Sequence, residues 1–137
     1  MRILAVDYGD QRTGIAVSDA TGSIAGEAFV IRQWDPQALA EEIARVCASR
    51  GVERVVLGNP LNMDGSAGPR SERSRDFGRL LAQMLDVEVV MWDERRTTVE
   101  AHDILTANNR HGKKRRDTVD AVAATLILES YLGSLRR

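Results

Sequence analysis

The stretch "ILAVDYGDQRTGIAVSD", residues 3–19, decides the fold. An apolar run ends on Asp7, the chain turns through Tyr8, Gly9 and Asp10, and a second apolar run covers residues 13–17. Two such runs joined through a glycine turn predict neighbouring strands. A weaker alternation over residues 23–32, around Ile24, Ala28 and Val30 with Gly22 and Gly26 as turn or bulge points, predicts a third. Three strands in succession with short connections make an antiparallel meander. An aspartate at a strand end is ordinarily turn chemistry. Whether Asp7 is more than that depends on what the rest of the chain brings to it.

Beyond the meander, helices and strands alternate. Asp35 and Pro36 suit an N-cap and first helical position, and Leu39, Ala40, Ile43, Val46 and Cys47 repeat at helical spacing until Gly51. Residues 55–57 read as a short strand, followed by the loop "GNPLNMDGSAGP" at residues 58–69. Phe77, Leu80, Leu81, Met84 and Leu85 mark a second helix, and residues 87–92 a fifth strand. Thr97 and Glu100 have capping-box spacing and open a short helix through Leu105; Gly112 and a basic run then precede a last helix from residue 117 to about residue 132. The order βββαβαβαα, with no repeat or linker, predicts one α/β domain over residues 1–137: a mixed five-stranded sheet with helices on both faces. Sites in such sheets gather at the carboxyl ends of central strands, where Asp7 stands at one end and Asp93 and Glu94 at another.

Composition narrows the class. A chain of 137 residues buries a real core in one domain. No stretch approaches the roughly 20 apolar residues of a membrane span, and no basic, apolar leader opens the chain, which predicts a cytoplasmic protein without membrane contact. The lone Cys47 permits no internal disulfide, and with only His102 and His111 present a Cys/His nucleophile is disfavoured. The net charge of −1 does not announce a nucleic-acid binder, but its distribution does more. Arg70, Arg73 and Arg75 cluster, Arg95 and Arg96 are adjacent, and Arg110, His111, Lys113, Lys114, Arg115 and Arg116 crowd together. A basic run is ordinarily a solvated face; here all three lie close to candidate acids.

In the last helix, Asp120, Ala123, Ala124 and Ile127 share one face. The alanines allow close approach to a sheet, so Asp120 rides on or beside the buried face and needs a partner there. If that helix packs near the ends of the first and fifth strands, Asp7, Glu94 and Asp120 converge. Two carboxylates about 4 Å apart repel by about 4 kcal/mol at an effective dielectric of about 20. Arginine could offset this, and Arg95 is near. A divalent cation does so better, since carboxylate oxygens suit magnesium or manganese and no His or Cys cluster suggests zinc. Open metal positions in a carboxylate cage serve phosphoryl chemistry, and flanking basic residues would hold phosphates. The combination favours a nuclease.

The blocks "DYGDQRTGIAVSD", "GNPLNMDGS", "DERRTT" and "VDAVAATLILESYL", in this order across essentially the whole chain, resemble the signature blocks of the YqgF family. Its members are Holliday junction resolvase-like nucleases also described as pre-16S rRNA nucleases. The resemblance implies an RNase H-like fold and places the acidic residues of the family on Asp7, Glu94 and Asp120 as ligands of Mg2+ or Mn2+, two ions with water as nucleophile. Geometry admits only one of Asp93 and Glu94 to such a site; the resemblance selects Glu94. It also suggests substrate positioning by Arg12, Asn62, Asp64, Gly65 and Arg95, although "MDG" also reads as a plain turn. Nucleic-acid contacts are expected of Arg12, Asn62, Arg95, Arg96, Lys113, Lys114, Arg115 and Arg116.

Three departures stand out. Gln11 replaces a frequent basic residue, Arg96 an apolar one, and Asp117 another basic one. Asp117 is either a fourth ligand or a helix N-terminal acid favoured by the macrodipole. Gly112 leaves room for the basic run to be a mobile loop that orders on nucleic acid.

Precursor ribosomal RNA is the substrate the resemblance favours, with a four-way DNA junction as the alternative. "DYGDQRTG" also resembles the first phosphate loop of actin and sugar kinases, which suggests an ATP-binding protein, but a second phosphate loop is missing. A non-catalytic nucleic-acid-binding module is a further reading. No aromatic stacking motif and no dimer face emerge, Trp34 and Trp92 could equally be packed, and the protein is expected as a monomer or homodimer.

Overall fold

A computed structural model describes residues 1–96 and 112–135, with side chains placed for residues 1–95 and 119–135. Strands β1 (Arg2–Asp7), β2 (Arg12–Ser18) and β3 (Ala25–Arg32) form the meander; α1 (Pro36–Arg50), β4 (Val52–Asn59), α2 (Pro69–Met84) and β5 (Glu88–Asp93) follow, then a 3-10 turn at Glu94–Arg96 and α3 (Gly112–Leu135). The sheet order is β3-β2-β1-β4-β5. β1 pairs antiparallel with β2 and parallel with β4, and β4 pairs parallel with β5. The short glycine turn permits only the antiparallel partner, whereas the parallel ones need helical crossovers.

β1 is apolar without interruption because both its faces are covered. Leu4 and Val6 join Ile15, Leu57, Leu39, Ile43, Phe77 and Leu81 beneath α1 and α2. Ile3 and Ala5 join Ala16 and Val56 beneath Ala124, Ile127, Leu128 and Leu132 of α3. Helices therefore cover both faces, as the alternation predicts. The α3 side is lined by small residues, and close approach follows: a Cβ on Gly14 would lie 2.0 Å from the Asp120 carbonyl oxygen.

The first helix begins and ends where the sequence places it. The Asp35 carboxylate accepts from the Ala38 N–H, and Gly51 closes the helix in the left-handed region at φ 66°. Cys47 is buried in this helix, and burial pushes its thiol up to about 11, which ends its candidacy as a nucleophile. β4 is longer than the expected residues 55–57, since pairing on both edges extends it.

The last helix begins earlier than expected, at Gly112 rather than residue 117, and ends at Leu135. The Lys-Lys-Arg-Arg run is made of good helix formers and continues the helix backbone instead of forming a loop before it. Asp117 is consequently inside the helix and not at its first turn. The short helix expected from Thr97 to Leu105 lies outside the described residues.

Candidate active site

Asp7 closes β1 and sits opposite Gly14 of β2 in the antiparallel register. Because the α3 backbone at Asp120 rests on Gly14, the strand partner of Asp7, the charge of Asp120 acts on the end of β1. Its carboxylate accepts from Arg12 Nε at 3.3 Å, both groups being partly buried. Close packing over a residue without a side chain is thus what brings the third acid to the first.

Glu94 arrives from further away. Its strand lies beyond β4, two strand spacings or about 10 Å from β1. The side chain must cross the end of β4, and it does so over Gly58: a Cβ there would stand 2.8 Å from Glu94 Cγ and Cδ and 2.7 Å from Ile127 Cδ1. Glu94 then shares a hydrogen bond with Asp7. Asp93, one residue earlier, points elsewhere and accepts from the Arg95 N–H, Nε and Nη2, the last at 2.6 Å. Asp93 closes β5 and Glu94 opens the 3-10 turn, so the two side chains part, and Glu94 is the one hydrogen-bonded to Asp7.

This pair cannot be comfortably ionised. Burial, the charge of Glu94, the shared hydrogen bond and the charge of Asp120 hold the Asp7 carboxyl well above the usual range, with Arg70 opposing. Glu94 is also raised, chiefly by burial, while the hydrogen bond with Asp7 and the charge of Arg70 pull it back. The two carboxyls share a hydrogen bond and both are raised, so they titrate as one unit.

Gly58→Ala tests the crossing. The added methyl must displace Glu94 and not merely a chain end, so cleavage is expected to fall by about 10- to 100-fold, in line with a misplacement on the order of 1 Å. The melting temperature should move far less, because Ile127 can turn its terminal methyl away. Unchanged cleavage rates in this variant would contradict the route assigned to Glu94.

Beside the dyad lies a cavity of about 150 Å3 lined by Tyr8, Gly9, Asp10, Arg70, Arg73 and Ser74. Tyr8 forms its wall by stacking on Phe77, centroids 4.3 Å apart. Arg73 Nη1 lies 3.7 Å from Asp10 Oδ1, both exposed, a weak tether. The first turn of α2 is held to the end of β4 by Ser71 Oγ donating to Asn59 Oδ1 at 2.6 Å, between buried groups. The arginine cluster is visible in the sequence; that the charge of Arg70 acts on both buried acids is not. Gly58, Asn59 and Ser71 were not singled out at all.

The "NMDGS" segment is a fastened turn. Asp64 Oδ1 accepts from the Ser66 N–H at 2.9 Å and from its hydroxyl, Gly65 adopts φ 90°, and Asn62 Nδ2 donates to Ser66 Oγ at 3.0 Å. Arg95 Nη1 donates to the Met63 carbonyl at 3.2 Å while its other nitrogens hold Asp93. Asn62 and Arg95 therefore fasten loops here; they do not converge on the carboxylates. The side chains of Arg96, Lys113, Lys114, Arg115, Arg116 and Asp117 lie outside the described residues. Among the described residues, no three His, Cys, Asp or Glu side chains form a ready metal-ligand cluster. Asp7 and Glu94 face each other, and Asp120 is turned towards Arg12.

The family model described as "RuvX: Holliday junction resolvase" matches residues 1–134. A "Putative pre-16S rRNA nuclease" of Halothermothrix orenii is 45% identical over 133 residues, covering 97% of this chain and 95% of its own. Proteins of the same name from Pelotomaculum thermopropionicum and Clostridium botulinum are 43% and 42% identical, each covering 100% of this chain, and 90% and 100% of their own. Among solved structures, Thermus thermophilus RuvC in complex with a Holliday junction substrate superposes with a TM-score of 0.61 at 13% identity, covering 98% of this chain and 97% of that one. The fowlpox virus resolvase with Holliday junction DNA gives a TM-score of 0.61 at 16% identity over the full length of both chains. The sheet and helices described above are thus the RNase H-like fold of the resolvases.

Proposed function

The chain belongs to the RuvX Holliday junction resolvase family and is a nuclease, and we propose that it hydrolyses precursor 16S rRNA by a divalent-metal-dependent mechanism. The observation that carries the metal is the Asp7–Glu94 dyad: two carboxyls buried against each other, both held above the ordinary carboxylate range. Hydrophobic residues of similar size would serve the fold better, since buried carboxyls stabilise nothing on their own. Their hard oxygens, with the charge of Asp120 acting on Asp7, fit Mg2+ or Mn2+. Asp7, Glu94 and Asp120 would hold the metal, as two ions. When bound, it supplies an activated water and charge stabilisation at the leaving oxygen.

The chain's own residues do the remainder. A bound cation would favour the ionised forms of Asp7 and Glu94, and Asp120, held here by Arg12, would join them as the third ligand. Arg12, freed from Asp120 in that case, would be placed to meet a phosphate oxygen. Arg70 and Arg73, facing the neighbouring cavity, suit a flanking phosphate and fix the strand's register without reading its sequence. Asp117 remains a candidate fourth ligand, and Arg96 with Lys113, Lys114, Arg115 and Arg116 candidates for further backbone contacts.

Relatives at 42–45% identity that carry the rRNA nuclease name support RNA as substrate. The family's description and its junction-bound fold neighbours favour a second reading, resolution of four-way DNA junctions. Incubation with Mg2+ or Mn2+ of labelled precursor 16S rRNA ends, a four-way junction and ATP distinguishes these. Cutting of the precursor in preference to the junction is expected. Preferential cutting of the junction would install the second reading. Binding without cutting at any metal concentration would make the chain a non-catalytic module, and ATP hydrolysis alone would point to a phosphate-loop ATPase.

A further inference from the structure

Trp34, just beyond the end of β3, has 75% of its surface open to solvent. Trp92, in contrast, packs edge-on against Tyr131 at 5.3 Å and donates its indole N–H to Ser130 Oγ at 3.0 Å. Trp34 lines a cavity of about 270 Å3 with Gln11, Arg12, Arg32 and Gln33. Arg12 and Arg32 sit directly opposite each other in the β2–β3 register. Like charges so placed repel, an arrangement that an anionic ligand relieves. Arg12 is also the residue whose Nε reaches Asp120, so one side chain is common to the cavity and the acidic site.

We propose that this cavity is a subsite for an unpaired nucleobase flanking the cut. The base stacks on Trp34, its phosphate is held by Arg32 and Arg12, and the glutamine amides meet its polar edge. The backbone has set the floor: the Gln33 N–H donates to the Gln11 carbonyl at 3.1 Å, and Gln33 Oε1 accepts from the Asp35 N–H at 3.1 Å. With its Oε1 so engaged, the amide of Gln33 keeps Nε2 as its donor, and the residue lines the cavity. Single exposed hydrophobic residues are common, but an indole flanked by two arginines and two amides has the mixed stacking and electrostatic character of single-strand recognition. A base inside a duplex offers no free face to Trp34, so the subsite selects substrates that are single-stranded beside the scissile bond.

The proposal rests on the nuclease reading, and its test separates the two. In EDTA, an eight-nucleotide single-stranded RNA and a blunt RNA duplex containing the same sequence are titrated against wild type, Trp34→Phe and Trp34→Ala. Fluorescence present in wild type and absent from Trp34→Phe isolates Trp34 from Trp92. That component should be quenched by the single strand and not by the duplex. Trp34→Ala should bind the single strand about 5- to 100-fold more weakly, with Trp34→Phe retaining most of the affinity. Equal single-strand affinity in Trp34→Ala, or equal quenching by duplex, would overturn the subsite. If wild type still cuts RNA with Mn2+ in that case, the nuclease reading survives alone; a wild type that neither binds nor cuts would end both.

Discussion

Asp7→Asn is expected to lose cleavage by about a thousand-fold or more while making the metal-free protein harder to melt. The first effect follows from the loss of one anionic ligand at the centre of the site, since metal contributes several kcal/mol to the transition state and each 1.4 kcal/mol or so is tenfold in rate. The second follows from the electrostatics of the apo protein. Asp7 is raised by burial, by Glu94 and by Asp120, so its charged form opposes folding. A carboxyl whose folded value is raised contributes stability that is full below its ordinary value and is lost as pH rises through the folded one. Metal-free wild type should therefore melt at lower temperature as pH climbs from the ordinary carboxylate range towards neutrality, and Asp7→Asn should flatten that slope. At neutral pH a gain of 1 kcal/mol would raise its Tm by about 3–5 °C. Added Mn2+ should stabilise wild type and leave the variant nearly unmoved. Loss of cleavage with an unchanged metal-free pH slope would show that Asp7 acts without crowding, and the dyad would have to be abandoned.

The sequence made the local part of this site readable and left its distances obscure. Asp7 was visible as a strand-end carboxylate, and helical spacing alone put Asp120 on the face of Ala124 and Ile127, where it stands. The meander, the alternation and the two-sided cover of β1 are likewise consequences of periodicity and turn chemistry, which act between near neighbours. The choice between Asp93 and Glu94 rests on residues far apart in the chain. Glu94 reaches Asp7 because Gly58 of the intervening strand leaves space, while Asp93 is occupied by Arg95. The start of α3 lies ahead of the sequence expectation because lysine and arginine propagate a helix as readily as they solvate a loop. Trp34 lies past its strand, where alternation no longer says which side is buried. Its exposure became readable only from the fold.

Gly14→Ala is expected to cost about 3 kcal/mol or more, lowering Tm by about 10 °C, and to reduce cleavage further than the lost stability explains. Two effects of opposite sign meet at this residue. Alanine is preferred to glycine within a strand by about 0.5–1 kcal/mol, so intrinsic propensity favours the change. Against it, the new methyl would fall 2.0 Å from the Asp120 carbonyl oxygen, 2.6 Å from its carbonyl carbon and 3.3 Å from Ala124 Cβ. Two of these are backbone atoms with no rotamer to escape into, so α3 itself must retreat from the sheet. Its retreat opens the contacts of Ala124, Ile127 and Leu128 with Ala5 and Ala16, and it carries Asp120 away from Asp7. Gly51→Ala is the informative contrast. Gly51 has φ 66° with nothing within 4 Å of the added methyl, so the cost there is backbone strain alone, about 1–2 kcal/mol, with cleavage unaffected. Measuring melting and Mn2+-dependent cleavage on both variants separates close packing from strain. A Gly14→Ala protein that melts and cuts like wild type would mean that α3 does not rest on β2, and with it would go the placement of the third acid.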